Sequence, residues 1–291
     1  MFQHSNTRTL EHSNNRTLEQ SLKSIKQINI NKYMDEYINK FYSFDQIYVY
    51  DFKLIEGGIG DCMKFFMRIL EICIANNIRL YYKQNNIEIE KYVKLRYNIM
   101  YIDENTLKTL NNYTIVKSYS NDHWSLSYSH QYIMPFQNVF YFTEEVIKNS
   151  KKILPIDISN YISVHLRLGD KFLETDKEYV MWREDERYYV EEEIFKYIED
   201  NNDKNIFFCC DNKEYKLRLK EKYDNIIITN CDIGHTSFYN TTQKQVLDGI
   251  SELYILSNSE SIYMGSFSSF SLVASNFKNI PLLSFKERRC V

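Results

Sequence analysis

Residues 161–172 read YISVHLRLGDKF, and in them His165, Arg167, Asp170 and Lys171 follow a run of strand-forming residues. Side chains alternate along a strand, so His165, Arg167 and Gly169 share one face while Val164, Leu166 and Leu168 share the other. In an open α/β sheet the carboxyl ends of the strands face the ligand crevice, and the pair falls at such an end. An arginine there forks onto two oxygens of a phosphate or carboxylate, geometry that a lysine lacks. The same spacing also lets Arg167 pair with Asp170 and brace the turn, and both readings stay open at this level.

Two further segments carry chemistry of the same kind. GSFSSFS, residues 265–271, places Ser266, Phe267, Ser268 and Ser269 between a strand and a helix, where backbone N–H groups and hydroxyls form an anion site. The simpler alternative is that one serine merely caps the helix. EGGIGDCMKF, residues 56–65, offers Gly58 and Gly60 at another strand-to-helix turn; it is neither a P-loop nor a full GxGxxG. Three anion-friendly loops at strand ends in both halves of the chain are what a diphosphate lying between them requires. Glu174, Asp170 and Glu56 are the carboxylates placed to act as a general base. No DxD dyad and no His/Cys spacing suited to a metal occurs, so no metal is expected.

The elements that carry these loops follow from hydrophobic periodicity. Residues 46–52 read as a strand, 62–77 as a helix and 77–83 as a strand. Residues 120–132, SNDHWSLSYSHQY, read as an aromatic loop. Near Pro155 a second alternation begins, with strands at 161–168, 205–210, 225–229 and 261–265. Helices are predicted between them at 185–200, 213–223 and 242–259, and a last one follows the serine-rich loop. This pattern predicts two α/β units with parallel strands. We divide the chain into a polar extension (1–28), an N-terminal α/β domain with the glycine loop on the acceptor side (29–152) and a C-terminal Rossmann-like domain (153–291), the two domains facing across a cleft. In the extension, HSNTRTLE at 4–11 recurs as HSNNRTLE at 12–19, a period that fits no heptad or solenoid.

Lysines and arginines number 36 against 39 acidic residues, a net charge of −3 that gives no reason to expect nucleic acid as a partner. The six cysteines form no CxxC pair, and four lie in apolar runs, which points to a reducing compartment. No apolar run approaches the length needed to span a bilayer, and no signal peptide is evident, so a soluble, cytoplasmic protein is expected.

Taken together the segments resemble the GDP-fucose-dependent fucosyltransferases, above all the α1,6- and nodulation fucosyltransferases and more loosely the α1,2- and protein O-fucosyltransferases. The family's HxRxxD motif, followed by lysine in the α1,6 branch, reads here His165-Leu-Arg167-Leu-Gly-Asp170-Lys171. FFCCDN resembles the family's strand ending in an aspartate, here Asp211, and SELYILSNSESIYMGSFSSFSLVA its acidic helix, strand and serine loop. GGIGD is similar to its glycine loop, GGxGN. The resemblance spans roughly residues 54–75 and 160–275. It implies a GT-B-like fold and a metal-independent, inverting transfer of fucose from GDP-fucose to a glycan hydroxyl. It further implies that Arg167 grips the β-phosphate, that His165 and Asp211 contact guanosine, that Lys171 lies near the leaving diphosphate and that residues 266–269 hold phosphate oxygens. Where the α1,6 branch has a glutamate four residues after the motif lysine, this chain has Thr175, with Glu174 one residue earlier. Transfer of a different GDP-sugar, or a nucleotide-sugar-binding module without activity, are the alternatives; a Rossmann-type reductase ranks last, because the third glycine is missing.

Overall fold

The structure is a computed structural model that describes residues 30–53, 57–117, 132–154, 160–172, 186–231, 234–236 and 238–284. The duplicated segment 4–19, Glu56, Glu174 and most of the aromatic loop lie outside the described residues. The first half runs α1 (Ile30–Asn39), β1 (Ile47–Tyr50), α2 (Ile59–Asn76), β2 (Arg79–Lys83), α3 (Ile89–Tyr92) and β3 (Val93–Leu95). It continues with β4 (Tyr101–Ile102), α4 (Glu104–Leu107), β5 (Tyr113–Val116), β6 (Phe140–Phe142) and α5 (Glu144–Ile153). The second half runs β7 (Ile162–Leu166), α6 (Glu191–Asp200), β8 (Ile206–Cys210), α7 (Lys213–Lys222), β9 (Ile226–Ile227), α8 (Gln243–Leu256), β10 (Ile262–Met264), α9 (Ser269–Lys278) and β11 (Leu282–Ser284).

Each half builds a parallel sheet, ordered β4-β2-β1-β5 in the first and β11-β10-β7-β8-β9 in the second. The α/β class read from the alternation is therefore the class observed. An antiparallel pair, β3 with β6, was not anticipated. Its strands have three residues each, too few for a period of two to stand out. Helix α6 starts at Glu191, later than the predicted residue 185, and β9 keeps only two of the five residues predicted as strand.

Helix α2 starts three residues before its periodic apolar run, with Gly58 as N-cap, and ends where Asn77 turns left-handed (φ 54) and returns its N–H to the carbonyl of Cys73. Met63, Phe66, Met67, Leu70 and Cys73 are buried along it, and so are Lys64, Arg68 and Glu71. In the second sheet the alternation of β7 holds: Ile162, Val164 and Leu166 pack with Ile194, Ile198, Phe208 and Leu219. On the sheet's other face Phe207 and Cys209 join a larger apolar cluster that also contains β1, α2, α8 and α9 residues such as Val49, Phe66, Leu253 and Val273. Helix α5, where the sequence division falls, docks on α8 through Asn149 Nδ2, which donates to Asp248 Oδ1 (2.9 Å) and Ser251 Oγ (3.0 Å). Among the described residues, Cys62, Cys73, Cys209, Cys210 and Cys231 are free and buried, and no helix is long and apolar enough to cross a membrane.

Candidate active site

Strand β7 ends at Leu166, and the chain turns through Arg167, Leu168 and a left-handed Gly169 (φ 116) into a short 3-10 turn, Asp170–Phe172. Asp211, the residue after β8, organises that turn. Its Oδ1 accepts from the amide of Leu168 (2.8 Å), and its Oδ2 accepts from the amide of Gly169 (3.0 Å) and from an Arg167 terminal nitrogen (2.5 Å). The other terminal nitrogen of Arg167 is paired with Asp170. The guanidinium is thus spread between two buried carboxylates, with 17% of its side chain exposed. The brace foreseen from sequence exists, doubled by Asp211. A guanidinium carries five N–H donors, more than these two bonds consume, so bracing from behind and gripping an anion in front are compatible. Lys171 lies at the surface, where Nζ donates to Glu186 Oε2 (2.7 Å).

His165 is buried beneath the same end of the sheet, Nδ1 2.5 Å from Ser271 Oγ and the ring 5.3 Å from that of Phe270. Burial pushes its pKa down to about 4, with Asp211 opposing the shift and Arg167 adding to it, so the imidazole is neutral at pH 7. Ser266 ties β7 to the serine-rich loop: Oγ donates to the carbonyl of Arg167 (2.6 Å) and accepts from its amide (2.9 Å). Ser268 is the N-cap of α9 and accepts from the amide of Phe270 (3.2 Å), so for this serine the capping reading holds. Phe267 between them is half-buried. Ser269 does something else: it reaches the first half of the chain, where its Oγ donates to Asp61 Oδ1 (2.9 Å) and accepts from Lys64 Nζ (2.7 Å).

That contact is close because glycines permit it. A Cβ on Gly60 would lie 2.8 Å from the carbonyl carbon of Ser269 and 2.9 Å from the amide nitrogen of Phe270, both backbone atoms. The N-termini of α2 and α9 therefore meet, each carrying the partial positive charge of a helix start. A loop after β9 closes on them. Thr236 Oγ1 accepts from the amide of Ile59 in the first turn of α2 (2.9 Å). His235 stacks on Phe238 (4.1 Å between centroids, 19° between planes) and would lie 3.5 Å from a Cβ on Gly58. Burial lowers the His235 pKa to about 3, Arg167 lowering it further and Asp61 raising it. Two helix N-termini, Arg167 and Lys64 thus lie among Asp61, Asp170 and Asp211, whose carboxylates pair with the two cations.

Sequence reasoning brought Gly58, Gly60, His165, Arg167, Asp170, Asp211 and residues 266–269 to one place, and the structure brings them together. Lys171 lies at the surface beside Asp170, in the same 3-10 turn. The reading missed Asp61, Lys64, His235, Thr236 and Ser271. Asp61 and Lys64 carried a signal, as oppositely charged residues one turn apart on a largely apolar helix. His235 and Thr236 carried none, because the loop after β9 has no periodicity.

No family model matches the chain, and no curated protein sequence does. Solved structures do match. NodZ α1,6-fucosyltransferase, in crystals soaked with GDP-fucose, aligns over 84% of this chain and 96% of its own at 10% identity and a TM-score of 0.52. The fucosyltransferase NodZ from Bradyrhizobium aligns over 84% and 97% at 10% identity and a TM-score of 0.53. A variant of Arabidopsis thaliana FUT1 in complex with GDP aligns over 92% of this chain and 78% of its own at 11% identity and a TM-score of 0.53. The chain has the fold of these fucosyltransferases.

Proposed function

We propose that the protein is a glycosyltransferase that moves fucose from GDP-fucose to a glycan hydroxyl, with inversion and without a metal ion. The observation that carries this reading is the meeting of the Arg167 turn, the serine-rich loop and the N-terminus of α2 at one point, in a fold shared with fucosyltransferases.

In the reaction the acceptor oxygen bonds to the anomeric carbon of the sugar while the bond from that carbon to the diphosphate breaks. Positive charge builds on the sugar ring and negative charge on the departing GDP. Donors fixed in advance at the growing negative charge lower the barrier, commonly as the largest catalytic effect. Arg167 supplies the planar fork, held in orientation by Asp170 and Asp211, and the amides of residues 266–269 and Lys171 add to it. On this reading His165 and Asp211 serve the guanosine, Asp211 while also bracing Arg167, and the first half of the chain presents the acceptor. Asp170 is committed to Arg167, which leaves Glu174 and Glu56 as the carboxylates that take the acceptor proton.

Calorimetry with GDP and UDP, followed by turnover of GDP-fucose in excess EDTA, tests the reading. GDP is expected to bind well and UDP poorly, and turnover is expected to survive the chelator. Equal affinity for both nucleotides removes the guanosine assignment, and a loss of activity restored by Mn²⁺ or Mg²⁺ removes the metal-free one.

A further inference from the structure

Lys64 is 2% exposed, on a helix whose other charged residues are Asp61, Arg68 and Glu71, and no step above uses it. Burying an ammonium costs several kcal/mol unless it is paired. Its carboxylate partner is Asp61 at 3.0 Å, whose own side chain keeps 25% exposure. Nζ also donates to Ser269 Oγ at 2.7 Å, and that hydroxyl in turn donates to Asp61 Oδ1 at 2.9 Å. The two functional halves are joined by this three-membered cycle, in the serine-rich loop that the proposed function assigns to phosphate oxygens. Lys64 also lies in the second turn of α2, whose N-terminus abuts that of α9 because residue 60 is glycine. The buried ammonium therefore stands where two like helix poles already repel one another, and in the free protein Asp61 is the oxyanion on it.

We infer that Lys64 is a further binding residue for the diphosphate of the donor, and that Asp61 and Ser269 hold its ammonium in place until a phosphate oxygen arrives. This rests on the GDP-fucose reading and adds a cation from the first half of the chain to the ones supplied by the second. Asp61 occupies the ammonium in the absence of nucleotide, so it competes with phosphate. A lysine serving only to bolt α2 to α9 would gain nothing from the removal of Asp61.

The test compares GDP with guanosine, which lacks the phosphates, by calorimetry on the full chain and its variants. Wild type binding GDP no better than guanosine would overturn the underlying phosphate reading, whatever Lys64 does. Given tight GDP binding by wild type, Lys64→Met should lose about 10- to 100-fold in GDP affinity, the range for a hydrogen bond to a charged group, and keep its guanosine affinity. Equal losses for both ligands, or no loss for either, would overturn the role assigned to Lys64. Should Lys64→Met fail to fold, Asp61→Asn answers the same question: it should melt lower and yet bind GDP several-fold more tightly than wild type. Unchanged or weaker GDP binding by Asp61→Asn would overturn the inference.

Discussion

Replacing Arg167 with lysine separates what the residue does for the fold from what it does for the reaction. The guanidinium joins Asp170 and Asp211, which are 3% and 6% exposed, and a single ammonium reaches one of them. Asp211 keeps its amide donors from Leu168 and Gly169, which limits the damage. One lost hydrogen bond to a charged, buried group costs about 2 kcal/mol. In a chain of 291 residues that lowers the melting temperature by about 3 °C. Transition-state stabilisation suffers more, since removal of one donor aimed at developing negative charge typically lowers kcat by about 10²–10³. The assay is melting temperature and GDP release from GDP-fucose, measured on one preparation of Arg167→Lys. A variant that melts lower and still turns over at the wild-type rate would reduce Arg167 to a brace and refute the catalytic argument.

The carbonyl carbon of Ser269 stands 2.8 Å from where a Cβ on Gly60 would lie, so Gly60→Ala should destabilise by about 1–3 kcal/mol through overpacking and weaken nucleotide binding. Gly249→Ala on α8 is the control: its Cβ meets Thr236 Cγ2 at an ordinary 3.5 Å, and the substitution should stabilise by up to about 1 kcal/mol in urea or thermal melts. The pH dependence follows from His235, whose folded pKa of about 3 lies below the ordinary histidine value. Its contribution is present above about pH 6.5 and is lost as the pH falls toward 3, on the order of 2 kcal/mol by pH 5. Glu71 runs the other way: burial, opposed by Arg68, raises it to about 7, so its protonated folded form favours the native state as the pH falls from about 7 to 4.5. The difference in melting temperature between wild type and His235→Gln isolates the histidine, and identical pH curves for the two would show that His235 is not buried in its neutral form.

What local sequence determines here is element type and the order of elements, while the ends of α2, α6 and β9 lay elsewhere than periodicity put them. The alternation through Ile162, Val164 and Leu166 and the helical spacing of Met63, Phe66, Met67 and Leu70 are forced by which faces must leave water, and they sufficed to place Arg167 and the serine-rich loop at strand ends. Short elements escaped because three residues, as in β3 and β6, define no period. Only the tertiary structure decided which charges share a site. Asp61 and Ser269 are 208 residues apart and His165 and Ser271 are 106 apart, so no spacing rule joins them. They meet because glycine at position 60 lets two helix ends touch and because β10 lies beside β7 in the second sheet. The same packing gave Arg167 two carboxylates instead of one: Asp170 is visible three residues away, whereas Asp211 arrives only through the parallel pairing of β7 with β8. A side chain's partner is a matter of which strands are neighbours, and strand order is set by long-range burial that no local window contains.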